Sequence, residues 1–495
     1  MSIWRHAEAN IEELPAWPIL AIEKIADINP RIDKSTIPDD LPVSFVPMPA
    51  VGAGDGSIRV EETRPAEEVK KGFTPFLEGD VLFAKITPCM ENGKMAVVPK
   101  LVNGYGFGST EFHVLRPKPV IDAKYLYYYV SSQSFRGEAE RYMTGAVGQK
   151  RVSTDYLKRS KIPVAPLGQQ KNIVAEIEKQ FSRLDEAVAS LKRVKANLKR
   201  YKAAVLKDAV EGRLVETEAE LAAQGRANVA GGTMPGATAR QYESGEELLK
   251  RILAERRRKW EENELAKMKV QGKAPKDDNW KKKYKEPAAP DTADLPELPE
   301  GWSWVAVEQL SLQVQYGYTA SAVARESGVR FLRITDIQED HVDWSTVPSC
   351  DISAIEQQEL LLQCGDIVFA RTGATVGKSF QLKGKFPESV FASYLIRISP
   401  HNVQTSDWLN VFFHSSEYWQ QIRASQAGIG QPNVNGTKLR GVLVPLPPLA
   451  EQHRIVAEVE RRLSVIEELE AGVTANVQRA THLRRSVLQR AFVWN

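Results

Sequence analysis

Short apolar runs broken by Gly, Pro and Asn clusters fill residues 14 to 165. The runs Val43–Val46, Val81–Ile86, Met95–Val98 and Phe112–Leu115 have the length and bounding residues of strands, and Tyr125–Tyr142 reads as a helix. Residues 298 to 447 repeat the scheme, with strands near Val329–Ile334, Ile367–Ala370 and Tyr394–Ile398 and a helix near Trp408–Ile422. Each stretch is long enough for one α+β domain of ordinary size.

After each stretch the pattern changes. A proline stop, Pro163-Val164-Ala165-Pro166 or Pro445-Leu446-Pro447-Pro448, precedes a long run of helical periodicity. Ile177, Phe181, Leu184, Val188, Leu191, Val194, Leu198, Tyr201 and Val205 step by three and four, and Val459, Leu463, Ile466, Leu469, Val473, Ala480, Leu483 and Val487 form a similar stripe. A narrow seam flanked by Lys, Arg and Glu predicts a coiled-coil partner. Each helix is the natural partner of the other, and a two-fold relation makes the pair antiparallel. Some 40 residues at about 1.5 Å each predict a rod on the order of 60 Å, with the globular domains at its two ends.

The two halves are copies. Gly148–Val210 lies over Gly430–Phe492 without a gap: Pro163 meets Pro445, Gln170 meets Gln452, and Ile173-Val174-Ala175-Glu176 meets Ile455-Val456-Ala457-Glu458. Upstream, Trp17–Ile25 resembles Trp302–Leu310, and GDVLFAK from Gly79 resembles GDIVFAR from Gly365. So long a period indicates a duplicated domain pair rather than a stacked array. The sequence divides into a first globular domain (1–165), a first long helix (166–215), a charged connector (216–297), a second globular domain (298–447) and a second long helix (448–495). The connector opens a helix at the capping box Ser244-Gly-Glu-Glu247, with Leu249, Ile252, Leu253 and Trp260 as its inner face and flexible flanks. It has no counterpart among the residues that follow the second helix.

Composition narrows the chemistry. The 495 residues carry a net charge of +3, too small to establish nucleic-acid binding by itself. Cys89, Cys350 and Cys364 share no metal-ligand spacing and fit a reduced, cytoplasmic protein. No segment has a signal-peptide core or an apolar run of roughly 18 residues, so no membrane partner is expected. Gly373-Ala-Thr-Val-Gly377-Lys378-Ser379 imitates a phosphate loop but has three residues between its glycines where that loop needs four. A turn with Lys94 and Lys378 pointing outward explains both copies. The histidines show no ligand pairing and no agreement between halves, no triad assembles, and no catalytic residue or metal site is expected.

Polar turns at matching places suggest nucleic acid instead. Lys85, Thr87, Asn92 and Lys94 approximately match Arg371, Thr372, Thr375 and Lys378, and Gln149-Lys150-Arg151 matches Gln431-Pro432-Asn433, with Asn435 a further candidate. Tyr316 and Tyr318 open another loop. Amide and guanidinium groups can read purine edges, while Lys and Thr hold phosphates. A non-enzymatic coiled-coil scaffold with two peptide-binding domains is the alternative.

The domain order, the string GDIVFARTGATVGKS, the Gly-Gln followed by VPLPPLAEQHRIVAEVE, and the helix endings Tyr201–Leu214 and Leu483–Phe492 resemble the specificity subunit of type I restriction-modification enzymes. That resemblance implies two target-recognition domains separated by paired helices, each domain reading half of a bipartite double-stranded DNA site. It further implies docking of two methyltransferase subunits and of restriction-translocase subunits. S-adenosylmethionine, ATP and Mg would belong to those partners, with no cofactor in this chain. Because Gln149-Lys-Arg differs from Gln431-Pro-Asn, the target is expected to be asymmetric.

Overall fold

The computed structural model describes residues 17–146, 148–226, 242–270, 272, 275, 277–324, 328–426 and 433–492. The chain folds as two units, residues 1–194 with 472–495 and residues 195–471.

In the first unit, the entry strand Ile19–Ala21 pairs antiparallel with the exit strand Lys161–Pro163, so the globular domain closes on itself before the long helix begins. Inside lies a four-stranded antiparallel sheet in the order Ala26–Ile28, Phe112–Pro117, Val81–Ala84, Met95–Val97. Val81–Ala84 is buried on both faces. Strand side chains alternate, so Val81 and Phe83 enter one core while Leu82 and Ala84 enter another. The first core contains Ile173, Val174, Ile177 and Phe181 of the helix Leu167–Val210 together with Ala491. The second backs onto a sheet ordered Thr63–Pro65, Pro42–Val46, Tyr105–Gly108, Thr74–Leu77, whose two middle strands are parallel. Within this unit Arg484 of the second long helix bonds Asp185 at 2.7 Å and lies 4.0 Å over the Phe181 ring, while Phe492 packs on Tyr125 and Tyr129. The beginning of one helix thus meets the end of the other, as an antiparallel pair requires.

The second unit follows the same plan. Ser303–Ala306 pairs antiparallel with Leu443–Leu446. The four-stranded sheet runs Ser311–Tyr316, Leu395–Pro400, Ile367–Ala370, Ser379–Gln381, the order of the first unit. Ile367 and Phe369 face a core shared with Val205, Leu206, Ala209 and Val210 of the first long helix and Ile455 and Val459 of the second, Leu449–Phe492. Val368 and Ala370 face the other way. There the units diverge: in place of a second four-stranded sheet stand a parallel pair, Arg330–Leu332 with Ser389–Phe391, and a small hairpin, Ile337–Gln338 with His341–Val342.

The junctions reveal equivalences that sequence matching cannot. Tyr125 Oη donates to the Pro163 carbonyl at 2.8 Å, and Trp408 Nε1 donates to the matching Pro445 carbonyl at 2.9 Å. Gln170 and Gln452, both buried, donate to the carbonyls of Ala165 and Pro447. Trp17 Nε1 donates to Gln169 Oε1 at 3.1 Å, and Trp302 Nε1 to Glu451 Oε1 at 3.0 Å. Glu451 also accepts from the backbone N–H of Glu218. Its burial outweighs these hydrogen bonds and pushes its carboxyl up to about 7.

Several expected elements differ. Tyr125–Tyr142 is two helices, Ala123–Ser131 and Gln133–Arg141, because Ser132 takes an extended conformation and caps the Phe135 N–H. The second unit breaks likewise at Ser415, which caps Tyr418 between Val403–Phe413 and Ser416–Gln426. On the second long helix Leu469 and Leu483 are exposed, and the buried positions Val459, Ile466, Val473 and Ala480 follow a strict seven-residue step. The connector helix Gly245–Val270 carries its capping box, but Leu248 rather than Leu249 is fully buried beside Ile252. Gly245 is required there, since a Cβ would stand 2.3 Å from the Leu446 carbonyl oxygen. The flank after this helix is not loose: Trp280 is buried and stacks on Trp260 with centroids 6.0 Å apart. Of the preceding flank, residues 227–241 lie outside the described residues.

Candidate nucleic-acid interface

In the first unit two turns distant in sequence are zipped together. The Lys85 N–H donates to the Glu111 carbonyl at 2.9 Å, and the Val152 N–H donates to the Lys85 carbonyl at 2.9 Å. Ile86 bridges Arg151, and the Thr87 N–H reaches the Lys150 carbonyl. The second unit makes the same backbone frame: Arg371 N–H to the Tyr394 carbonyl at 3.1 Å, Val434 N–H to the Arg371 carbonyl at 3.0 Å, and Thr372 bridging Asn433. One scaffold therefore presents Lys85, Glu111 and Arg151 in one unit and Arg371, Tyr394 and Asn433 in the other.

The side chains are held differently. Arg151 grips Glu111 through two hydrogen bonds of 2.9 and 2.8 Å, and this contact holds the Glu111 carboxyl below its usual range. Beneath the frame His113 is buried. Asn29 Oδ1 accepts from the Val114 N–H, so the Asn29 amide presents its Nδ2 donor to His113 Nδ1 at 3.0 Å, leaving Nε2–H to donate to the Val152 carbonyl at 2.8 Å. Burial lowers the His113 pKa, in keeping with this neutral tautomer. His113 supports the frame and offers no proton chemistry.

Arg371 has no carboxylate partner among the described residues. Its guanidinium carbon lies 4.9 Å from the Tyr316 ring centroid, its Nε is buried without a partner, and Tyr316 Oη accepts the Gly436 N–H at 2.7 Å. Asn435 caps the short helix Gly436–Arg440 through Lys438 N–H. Tyr316, Arg371, Thr372, Asn433 and Asn435 thus converge. Gln431 lies outside the described residues.

The remaining candidates separate. Gln149 and Lys150 are exposed beside Thr87, and Asn92 is exposed at the next turn. Lys94 does not point outward: it is half-buried and donates to the Met48 carbonyl at 3.1 Å, because the turn folds against the neighbouring lobe. Lys378 is exposed, and Thr375 is half-buried in the short 3-10 turn Gly373–Thr375. That turn leads to the strand Ser379–Gln381 rather than to a helix, so it lacks the helix N-terminus a phosphate loop uses. Gly377 answers a packing need, since a Cβ would stand 2.6 Å from the Trp419 ring. Tyr318 turns toward Glu356 and packs with the distal core.

Sequence reading missed Glu111, Asn29, His113 and Tyr394. Only the first repeat places a Glu and an Arg in turns that meet in space, and Tyr394, 62% exposed, was read merely as the start of a strand. Among the described residues no group of three His, Cys, Asp or Glu is arranged to hold a metal, and no helix is long and apolar enough to cross a membrane.

Two similar frames bearing different side chains, each built onto a helical pair, define a duplicated recognition protein. The chain matches the family model described as the type I restriction modification DNA specificity domain over residues 17–200 and 320–479, and it belongs to that family. It is 27% identical over 522 residues to the type I restriction enzyme EcoAI specificity subunit of Escherichia coli, covering 95% of this chain and 82% of that protein. The EcoEI specificity subunit of Escherichia coli is 26% identical over 528 residues, with the same coverage, 95% and 82%. Among solved structures, a chain from a study titled "Structural basis underlying complex assembly and conformational transition of the type I R-M system" superposes with a TM-score of 0.66 at 17% identity, covering 97% of this chain and 98% of that one. The HsdS subunit from Thermoanaerobacter tengcongensis gives 0.56 at 17% identity and 97% coverage of both. The fold is the one these chains share.

Proposed function

We propose that this chain is the DNA-reading subunit of a type I restriction-modification complex and that its two globular domains read different halves of a bipartite, asymmetric duplex target. The observation that carries this reading is the common backbone frame with unlike side chains: Lys85, Glu111 and Arg151 against Arg371, Tyr394 and Asn433. A peptide-binding scaffold gives no reason for two equivalent backbone frames to present unlike side chains.

Recognition divides as major-groove readers do. Arg371, stacked on Tyr316 and with no carboxylate partner among the described residues, suits a guanine edge, and Asn433 and Asn435 suit adenine. In the first unit Glu111 suits the amino group of cytosine, with Arg151 orienting it, while Lys85, Thr87 and Lys150 serve phosphates. The chain directs methyltransferase and restriction subunits to the site and catalyses nothing itself; S-adenosylmethionine, ATP and Mg are used by those subunits. Methylome sequencing of cells with and without the gene tests the proposal. Loss of one two-part motif with unlike halves is expected, and an unchanged methylome overturns it.

A further inference from the structure

The connector 216–297 is neutral as a whole, with sixteen Lys and Arg against sixteen Asp and Glu, but its basic residues gather in one stretch. Residues 243–286 contain fourteen Lys and Arg against ten Asp and Glu, an excess of four where the whole chain has +3, so the remainder carries no positive excess at all. The fold then concentrates that charge. Trp280 stacks on Trp260, Tyr284 packs at a tilt on Trp260 with centroids 5.3 Å apart, and together they hold the segment around Tyr284 against the connector helix. This brings Lys283 and Lys285 beside Arg256 and Lys259 around a groove of about 450 Å³.

The pairing within this groove is one-sided. Arg256 donates to the Ser311 carbonyl and to Tyr284 Oη, and Lys259 donates to the His401 carbonyl, all neutral acceptors. Lys283 and Lys285 are exposed and have no carboxylate within ion-pair distance among the described residues. The acids at the groove are engaged elsewhere, Glu262 with Arg258 at 3.3 Å and Glu308 with Arg440 at 3.9 Å. Lys283 and Lys285 flank the half-buried Tyr284, and all three line the groove.

We infer that this aromatic-seated strip is a second DNA-contact site in the second unit, one that takes backbone phosphates without regard to sequence. It rests on the DNA-reading role proposed above. Ser311, which anchors Arg256, and Tyr316, beneath Arg371, are the ends of one strand. Five steps of about 3.4 Å separate them by about 17 Å, half a turn of B-form duplex. The strip and the reading frame are thus anchored, through Arg256 and Arg371, at opposite ends of one strand, a span that a single duplex can bridge.

The test is the double variant Lys283→Ala/Lys285→Ala in the full-length chain, alone and assembled, titrated with a target duplex and a scrambled duplex at several salt concentrations. Loss of two phosphate contacts is expected to weaken both duplexes several-fold, to make the slope of log affinity against log salt shallower by about 2, and to leave the target-to-scrambled ratio unchanged. Unchanged affinity and slope overturn the inference. If assembly with partner subunits weakens instead, the strip is a contact for an acidic protein surface, which also overturns it. A wild-type chain that shows no preference for target over scrambled DNA refutes the DNA-reading role itself, and the two failures are thereby distinguished.

Discussion

Trp17 and Trp302 occupy the same place in their repeats and make the same hydrogen bond, yet one meets an amide and the other a carboxylate. Gln169 asks nothing of its surroundings. Glu451 is fully buried and stands beside the buried Glu218, which is paired with Arg454. Duplication preserved the geometry of the junction while the second copy acquired an ionisable core. The two backbone frames differ in the opposite sense, being alike in backbone and only partly buried in the side chains that changed. On the proposed reading, substitutions in the frame would alter what is bound, whereas the substitution at the junction alters how stability responds to pH.

The largest test of this contrast removes a junction anchor. Trp408→Ala deletes the core side chain that donates to Pro445, and a loss of roughly 3–5 kcal/mol in denaturant unfolding of the second unit is expected. Glu451 comes next. A carboxyl raised from 4.5 to about 7 binds its proton more tightly when folded, so it favours the native state fully below pH 4.5 and loses that contribution as pH rises through 7. The change amounts to about 3 kcal/mol at most. Glu451→Gln should therefore flatten the stability profile between pH 4.5 and 8 and raise the melting temperature at pH 8; a profile as steep as wild type would break the comparison. Arg371→Ala should cost about 1–3 kcal/mol on the target duplex and relax methylation at one position of one half-site, with stability unchanged. Tyr125→Phe, which loses only the bond to Pro163, should cost about 1 kcal/mol.

Much of this architecture was legible because periodicity and repetition are local signals. The long helices, the strands around Val81–Ala84 and Ile367–Ala370, and the proline junctions were all visible in the sequence. The helix breaks at Ser132 and Ser415 were not, because a serine that caps and a serine that merely faces solvent look alike until the backbone turns. Val81–Ala84 shows that a strand buried on both faces gives no alternation by which to assign its sides. At the interface, the turns carrying Lys85, Arg151, Arg371 and Asn433 were found by matching the halves. Their partners Glu111 and Tyr394 were missed because they lie in other turns and meet the candidates only in space. Lys94 was misjudged for the same reason, since the Met48 carbonyl is supplied by a lobe 46 residues upstream.

The alternation of Val81–Ala84 and of Ile367–Ala370 also bears on how such a protein could be rebuilt. In each strand one set of side chains grips the helical framework and the other set grips the lobe that differs between repeats. The natural seam for grafting a new lobe therefore runs lengthwise through these strands, between their two faces. An engineer who keeps Val81, Phe83, Ile367 and Phe369 while replacing what lies beyond Leu82, Ala84, Val368 and Ala370 would exchange the divergent lobe and leave the packing on the helices in place.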